Sequence, residues 1–295
     1  MGWLWTALGV ALVLLALRDV FHTLFHPSVR GDLATLVMRV VWRSARRLDG
    51  RGASSSLSGP LGMAAVVATW GGLTAAGWTL IYFAQMPEGF SFASALDHPE
   101  RSDLLDSLYL SLVTVTTLGF GDIVPTSPSL RLVAPLEALV GFFLLTAAVS
   151  WIVQIYPALT RRRVLALRLA TLRSATSEHT DSVVDDIPPT TLLELADGLS
   201  RVRVDLIQYS ATYYFRETSE RLSLPMVLGY ALDLADHALT SEHRGTRLAG
   251  TVLSRALDDL ADGLREGFLR VDGDTRTVLH AYAIEQATPA AARRR

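Results

Sequence analysis

The sequence predicts an all-α membrane protein whose second half is a soluble helical domain. Three observations carry this. Mean hydropathy is +0.31 and only 19% of the 295 residues are charged, against roughly 25% in soluble domains. The charge is also uneven: residues 1–160 hold 9 arginines and 10 acidic residues, residues 161–295 hold 18 and 19. Finally, three apolar stretches in the first half are each long enough to cross a hydrocarbon core ~30 Å thick at ~1.5 Å per residue. The net charge of −2 is shared evenly between the halves, so the basic surplus of a nucleic-acid binder is missing. Absence of cysteine excludes disulfides, thiolate metal sites and cysteine nucleophiles. Lysine is also absent, which reads as genome composition rather than mechanism.

The first span is Trp3 to Phe25, in a segment 1–26, and it carries Arg18, Asp19 and His22 only near its end. A signal peptide would need a basic leader and a small-residue cleavage site, and neither is present. The Met1–Thr6 pattern fits loose myristoylation, but a lipid chain adds little to a helix that already inserts. Residues 27–60 form an amphipathic helix and linker. Leu33, Leu36, Val37, Val40, Val41 and Leu48 share a helical face, with Arg39, Arg43, Arg46 and Arg47 on its flank. The run is too short to span, so an in-plane interfacial helix fits it. A voltage sensor is the rival reading, but its arginines would recur every third residue rather than crowd.

The second span, Leu61 to Ala84, is uncharged, and the third, Leu132 to Tyr156, contains only Glu137. Arginines concentrate in 26–60 and at Arg161, Arg162 and Arg163, whereas 87–106 is acidic. The positive-inside rule then places the N-terminus and the acidic loop outside and the C-terminal half in the cytoplasm. Arg161, Arg162 and Arg163 either bind anionic lipid and couple domain motion to the membrane part, or serve topology alone. Asp19, His22 and His26 share one helical face and offer either a metal or proton site, or simple headgroup contacts.

Between the second and third spans, residues 103–115 read as a short helix capped by Ser102 or Asp103, too short to cross the bilayer. Such a segment must re-enter, and irregular backbone at that depth is tolerated only where it lines a cavity. It is followed by Thr116-Thr117-Leu118-Gly119-Phe120-Gly121-Asp122. Glycines spaced by one residue allow φ > 0 at alternate positions. That alternation turns successive carbonyls to one side, where a row of oxygens replaces the water shell of a cation. One chain supplies one wall only, so the physical reading requires symmetric assembly.

This string resembles the selectivity-filter signature of the potassium channel family, Thr-Val-Gly-Tyr-Gly-Asp. The likeness extends over roughly 63–156: outer helix, pore helix starting Asp-Ser-Leu-Tyr, filter, Ile-Val-Pro exit and inner helix. The resemblance implies a pore domain over 61–158 in a homotetramer. Carbonyls of Thr117, Leu118, Gly119, Phe120 and Gly121 would then coordinate K+, supported by Thr116, with Asp122 at the outer mouth. Gly141, twenty residues beyond Gly121, falls where members commonly carry a gating hinge; close helix packing is the alternative role. Leu118 replaces the usual valine. Phe120 replaces tyrosine and loses a hydroxyl that ties the filter to its surroundings, although Gly-Phe-Gly filters occur in selective members. Val113 stands where some members place a glutamate that partners the filter aspartate, so Asp122 is expected to lack that partner. Glu137 is expected to hydrogen-bond behind the filter.

Residues 159–295 read as a helical regulatory or assembly domain with an undisclosed ligand. Helices are expected at 164–173, 191–221, 224–239, 246–269 and 275–286, with Leu248, Val252, Leu253, Ala256, Leu260 and Leu264 as an apolar face. No Gly-x-Gly-x-x-Gly turn or β-roll pattern occurs, and Asp272-x-Asp274 fails as a calcium loop because the twelfth position is Ala283. No catalytic constellation is visible and no cofactor is implied beyond K+ as permeant ion. The expected function is a potassium-selective channel of the cell membrane, gated at the inner helices. The rivals are a weakly selective cation channel and a signalling receptor with a vestigial pore.

Overall fold

A computed structural model describes residues 2–25, 32–49, 57–93, 102–177 and 187–287. His26 and most of the 50–59 loop lie outside them. The chain divides into two compact units, Met1–Val37 with Met63–Ile152 and Met38–Gly62 with Val153–Arg295.

The first unit is built on α1 (Gly2–Phe25), most of α3 (Ser58–Phe83) and the first half of α5 (Pro128–Ser177). These three helices are long and apolar enough to cross a membrane. The short α4 (Asp103–Val115) lies between α3 and α5 in sequence. Two three-residue strands, absent from the sequence expectation, flank it: β1 (Phe90–Phe92) pairs antiparallel with β2 (Ile123–Pro125), Ser91 opposite Val124. The core unites Val13, Trp78, Ile81, Tyr82, Phe90, Leu110, Ile123 and Leu130, so helix α1 packs into the same core as the ribbon. Close approach of α1 and α3 depends on two glycines. A Cβ on Gly9 would sit 2.4 Å from the Gly77 carbonyl oxygen, and one on Gly77 2.7 Å from that of Gly9. Small residues let membrane helices touch backbone to backbone, where dispersion must replace the hydrophobic effect.

The second unit contains the remainder of α2 (Asp32–Asp49), the second half of α5, α6 (Pro189–Gln208), α7 (Leu224–Thr240), α8 (Arg244–Gly267) and α9 (Thr275–Gln286). Helix α8 packs against α6, α7 and α9. Its buried stripe is Ala249, Leu253, Ala256, Leu257, Leu260 and Leu264, while Leu248 and Val252 are exposed, one edge away from the expected face. The expected helix 191–221 stops at Gln208. A 3-10 turn, Ser210–Tyr214, follows because the aromatic run there is drawn into a knot. Tyr213 stacks on Phe268 at 4.2 Å between ring centroids and lies 5.6 Å from Tyr282. Trp42 of α2 meets Tyr214 edge-on at 5.7 Å, with the Arg216 guanidinium 4.3 Å from its ring centre. This knot also revises the face of α2. Ala34, Met38 and Trp42 are buried, and Leu36 and Val40 are exposed, because the large indole claims the aromatic partners.

Candidate pore and filter

Helix α4 begins with Asp103 and Asp106 in its first turn, where acidic groups suit the positive helix end. Its other end is not left to water. The Val113 carbonyl accepts from Leu118 N at 2.9 Å and Gly119 N at 3.3 Å, and the Thr114 carbonyl accepts from Thr117 N at 2.9 Å. Thr116 closes the helix, its backbone N–H and its hydroxyl both reaching the Leu112 carbonyl, at 3.2 and 2.6 Å. The segment 117–119 is therefore folded back onto the helix by its own amides, which satisfy carbonyls that the helix end otherwise leaves orphaned.

The backbone then alternates. Thr117, Gly119 and Gly121 take φ values of 61, 56 and 77°, the left-handed positions of the segment. Glycine is required at 119 and 121 for its conformation alone, since a Cβ there would meet nothing within 4 Å. Thr117 adopts the same geometry with a β-branched side chain, at a cost of ~1–2 kcal/mol. Residues 116–121 are all exposed, including Leu118 at 62% and Phe120 at 66%.

The segment after the filter is pinned to the loop that follows α3. Ala93 N donates to the Asp122 carbonyl at 2.8 Å, and Thr126 N to the Gly89 carbonyl at 2.8 Å, on either side of the ribbon. The Asp122 carboxylate does find a partner, from a position the sequence reading passed over. The Tyr109 hydroxyl, one helical turn before Val113, donates to its Oδ2 at 2.5 Å, while Ile123 N reaches Oδ1 at 3.1 Å.

Behind the filter, Glu137 of α5 is fully buried. The Tyr82 hydroxyl of α3 donates to its Oε2 at 2.5 Å. The Ser111 hydroxyl of α4 shares its proton between Glu137 Oε1 at 2.6 Å and the Ala75 carbonyl at 3.0 Å. One carboxyl thus ties α4 to α3 and α5, a hydrogen-bonding role as expected of Glu137; Tyr82 and Ser111 were not foreseen. Gly141 lies one turn further along α5. A Cβ there would be 1.9 Å from the Val115 carbonyl oxygen, and α5 runs helically through the position. The observed requirement for glycine at 141 is close packing against the last residue of α4.

Two other sets of expected residues have different occupations. Asp19 is buried and accepts from Leu33 N at 3.0 Å, Ala34 N at 3.1 Å and Trp70 Nε1 at 2.7 Å, so its oxygens are committed to capping α2. His22 takes a hydrogen bond from Arg18, His26 is outside the described residues, and among the described residues no metal-ligating cluster occurs. Arg161, Arg162 and Arg163 each have protein partners within their own unit. Arg161 grips Asp205 with two bonds, at 2.8 and 2.6 Å. Arg162, buried, donates to the Thr212 and Phe215 carbonyls at 2.8 Å each. Arg163 pairs with Glu217 at 2.8 Å. Local charge pattern gave the lipid expectation, whereas the partners lie 44 to 54 residues away.

Comparison with known proteins agrees with this geometry. Residues 69–156 match the model of a family described as ion channel. The chain is 26% identical over 166 residues to the uncharacterized membrane protein YdjJ of Bacillus subtilis, covering 56% of this chain and 48% of that protein. It is 32% identical over 78 residues to two pore potassium channel c of Oryza sativa subsp. japonica, covering 25% of this chain and 16% of the rice protein. The chain thus spans about half the length of the first relative and far less of the second, and no solved structure matches. A short helix between two apolar helices long enough to span, a strand of alternating handedness and the family match together make residues 69–156 of this membrane protein similar to an ion-channel pore domain of the potassium-channel type.

Proposed function

We propose that four copies of the chain surround one axis and conduct K+ selectively and passively across the cell membrane. The observation that carries this is the run of left-handed residues at Thr117, Gly119 and Gly121 directly after α4. Carbonyls of Thr117 to Gly121 replace the hydration shell, Asp122 lends negative potential to the outer mouth, and the C-terminal end of α4 favours a cation in the cavity. Exposed Leu118 and Phe120 support assembly, because large apolar side chains next to an ion path need a neighbouring subunit to cover them. No cofactor takes part, and K+ is the permeant ion. The N-terminus lies outside and the C-terminal half in the cytoplasm, on the arginine distribution. The inner helix beyond Gly141 forms the gate, and the cytoplasmic helical domain, with a ligand of its own, biases it.

Purified protein in planar bilayers under mixed K+ and Na+ tests the reading. A reversal potential near the K+ value is expected, and a permeability ratio near one moves the protein to a weakly selective cation channel. A tetramer that passes no ion overturns conduction itself and favours the receptor. Removing residues 167–295 tests modulation, since unchanged open probability refutes it.

A further inference from the structure

We propose that Asp19 of α1 is a positioning residue for α5: acting through Trp70 of α3, it locks one of the ties that hold α5 against α3. The inference rests on the proposed reading of α5 as the inner helix of the pore. Every residue it uses belongs to the first compact unit.

The first step is the pair α1 and α3, which run antiparallel in contact from Gly2 beside Ala84 to Asp19 beside Trp70. A Cβ on Gly2 would stand 3.1 Å from the Ala84 carbonyl oxygen, Trp5 meets Phe83 edge-on at 6.0 Å between ring centroids, and Gly9 faces Gly77. Asp19 is the last rung. It is buried, and its Oδ2 accepts the Trp70 indole N–H at 2.7 Å. The same carboxylate accepts Leu33 N and Ala34 N at 3.0 and 3.1 Å, so the amides that it caps also hold the acceptor still for the indole.

The second step is the pair α3 and α5. Tyr82 donates to Glu137 at 2.5 Å, and Trp70 packs on Trp151 at 5.4 Å between ring centroids, with the planes at 46°. These contacts lie ~18 Å apart along α3 and ~21 Å apart along α5, so they grip opposite ends of one stretch of α5. They differ in kind. The hydrogen bond is directional and holds itself in place. The ring contact is dispersion, and an indole leaves such a contact by pivoting about χ1 and χ2. Both rings are buried, and the bond to Asp19 fixes the polar edge of Trp70, which removes the pivot.

The third step is what the lock does. Gly141 lies between the two contacts, and the proposed gate lies in α5 beyond it. For α5 to leave α3 at Trp151, Trp70 must either follow it or release it, and a pinned indole opposes both. Helix α1 thus acts on the conduction path without touching it. A capping role alone would leave Asp19 indifferent to Trp151, whereas the lock couples the two residues energetically through Trp70.

The test uses the full chain, its 6 tryptophans replaced biosynthetically by 5-fluorotryptophan, with Trp151→Phe identifying the fluorine signal of Trp151. A single narrow Trp151 signal is expected in the parent. Trp70→Phe keeps a ring against Trp151 but removes the N–H, and Asp19→Asn leaves one acceptor oxygen for three donors. Each should broaden or split the Trp151 signal, because losing one charge-assisted hydrogen bond lowers the locked-to-released ratio at least about tenfold. In planar bilayers each should change open probability by about the same factor, and Asp19→Asn added to Trp70→Phe should change neither readout further. A Trp151 signal that stays single and narrow in both variants overturns the proposal, as does an altered signal with unchanged open probability in a conducting channel. Additive effects overturn it in favour of capping alone. A parent that passes no ion overturns the channel reading instead, and the fluorine signal then decides the lock by itself.

Discussion

Gly141→Ala separates the two roles a glycine can play in the inner helix. In the structure the added Cβ would stand 1.9 Å from the Val115 carbonyl oxygen, whereas such contacts essentially never fall below 3.0 Å. The obstructing atom belongs to the backbone, so no side chain can rotate away, and α5 and the end of α4 must part by about 1.1 Å, the gap between those distances. Overpacking of this kind costs ~1–3 kcal/mol, and a displacement above 1 Å puts it at the upper end. Alanine returns ~1 kcal/mol through helix propensity, leaving a net loss of about 2 kcal/mol. Gly71→Ala is the control, since a Cβ there meets nothing within 4 Å and receives the propensity gain alone. Thermal denaturation in detergent should rank Gly141→Ala below the parent and Gly71→Ala at or above it. K+ flux should fall in the first variant, because the displaced carbonyl lies two residues before Thr117. If Gly141→Ala is as stable as Gly71→Ala while its open probability changes, the packing argument is wrong and the glycine acts as a hinge.

Three further outcomes follow from other contacts. Tyr82→Phe leaves the buried Glu137 with the Ser111 hydroxyl as its remaining donor; the loss of ~1–3 kcal/mol should appear as a lowered melting temperature with conduction retained, and an unchanged melting temperature would remove the tie. Arg162→Met strands two buried carbonyls, of Thr212 and Phe215, at ~1–3 kcal/mol each, and hydrogen exchange across 209–216 should accelerate accordingly. At α9, the Thr277 hydroxyl and amide hold the Asp274 carboxyl below its usual value. Because the folded-state value is the lower one, this cap is fully present above the usual carboxylate range and is lost as pH falls through the depressed value. The protection factor of the Thr277 amide, its exchange measured relative to the unfolded-chain rate at the same pH, should therefore fall on acidification below ~pH 4, and Asp274→Asn should flatten that profile.

The spans, the short α4 and the glycines at 119 and 121 were legible because each is a local property of length, periodicity or φ freedom. The share of the fold that was not legible depends on distance along the chain. Thr117 carries no sign that it joins the left-handed alternation, since its φ is imposed by the amides folding back on Val113 and Thr114. Strands of three residues show no period, so the ribbon Phe90–Phe92 with Ile123–Pro125 was invisible. The break after Gln208 was decided by Phe268 and Tyr282, far downstream, and nothing near 209 demands it. For the site, Glu137 announced itself as an ionisable group in a span, whereas its partners Tyr82 and Ser111 looked like ordinary residues of apolar helices. Tyr109 was missed for a narrower reason. The resemblance points to position 113 for a partner to Asp122, and the hydroxyl comes from one turn earlier.

Arg161, Arg162 and Arg163 are consecutive, so their side chains leave α5 at intervals of ~100° and point in three directions around the shaft. Their closest partners differ: the Asp205 carboxylate for Arg161, the Thr212 and Phe215 carbonyls for Arg162, and Glu217 for Arg163, with Glu217 also 3.7 Å from Arg162. A rod held by one spoke can swivel, but a rod held by three cannot turn about its own axis without snapping at least one of them. Turning the lower shaft of α5 within its bundle therefore means breaking contacts on more than one side at once.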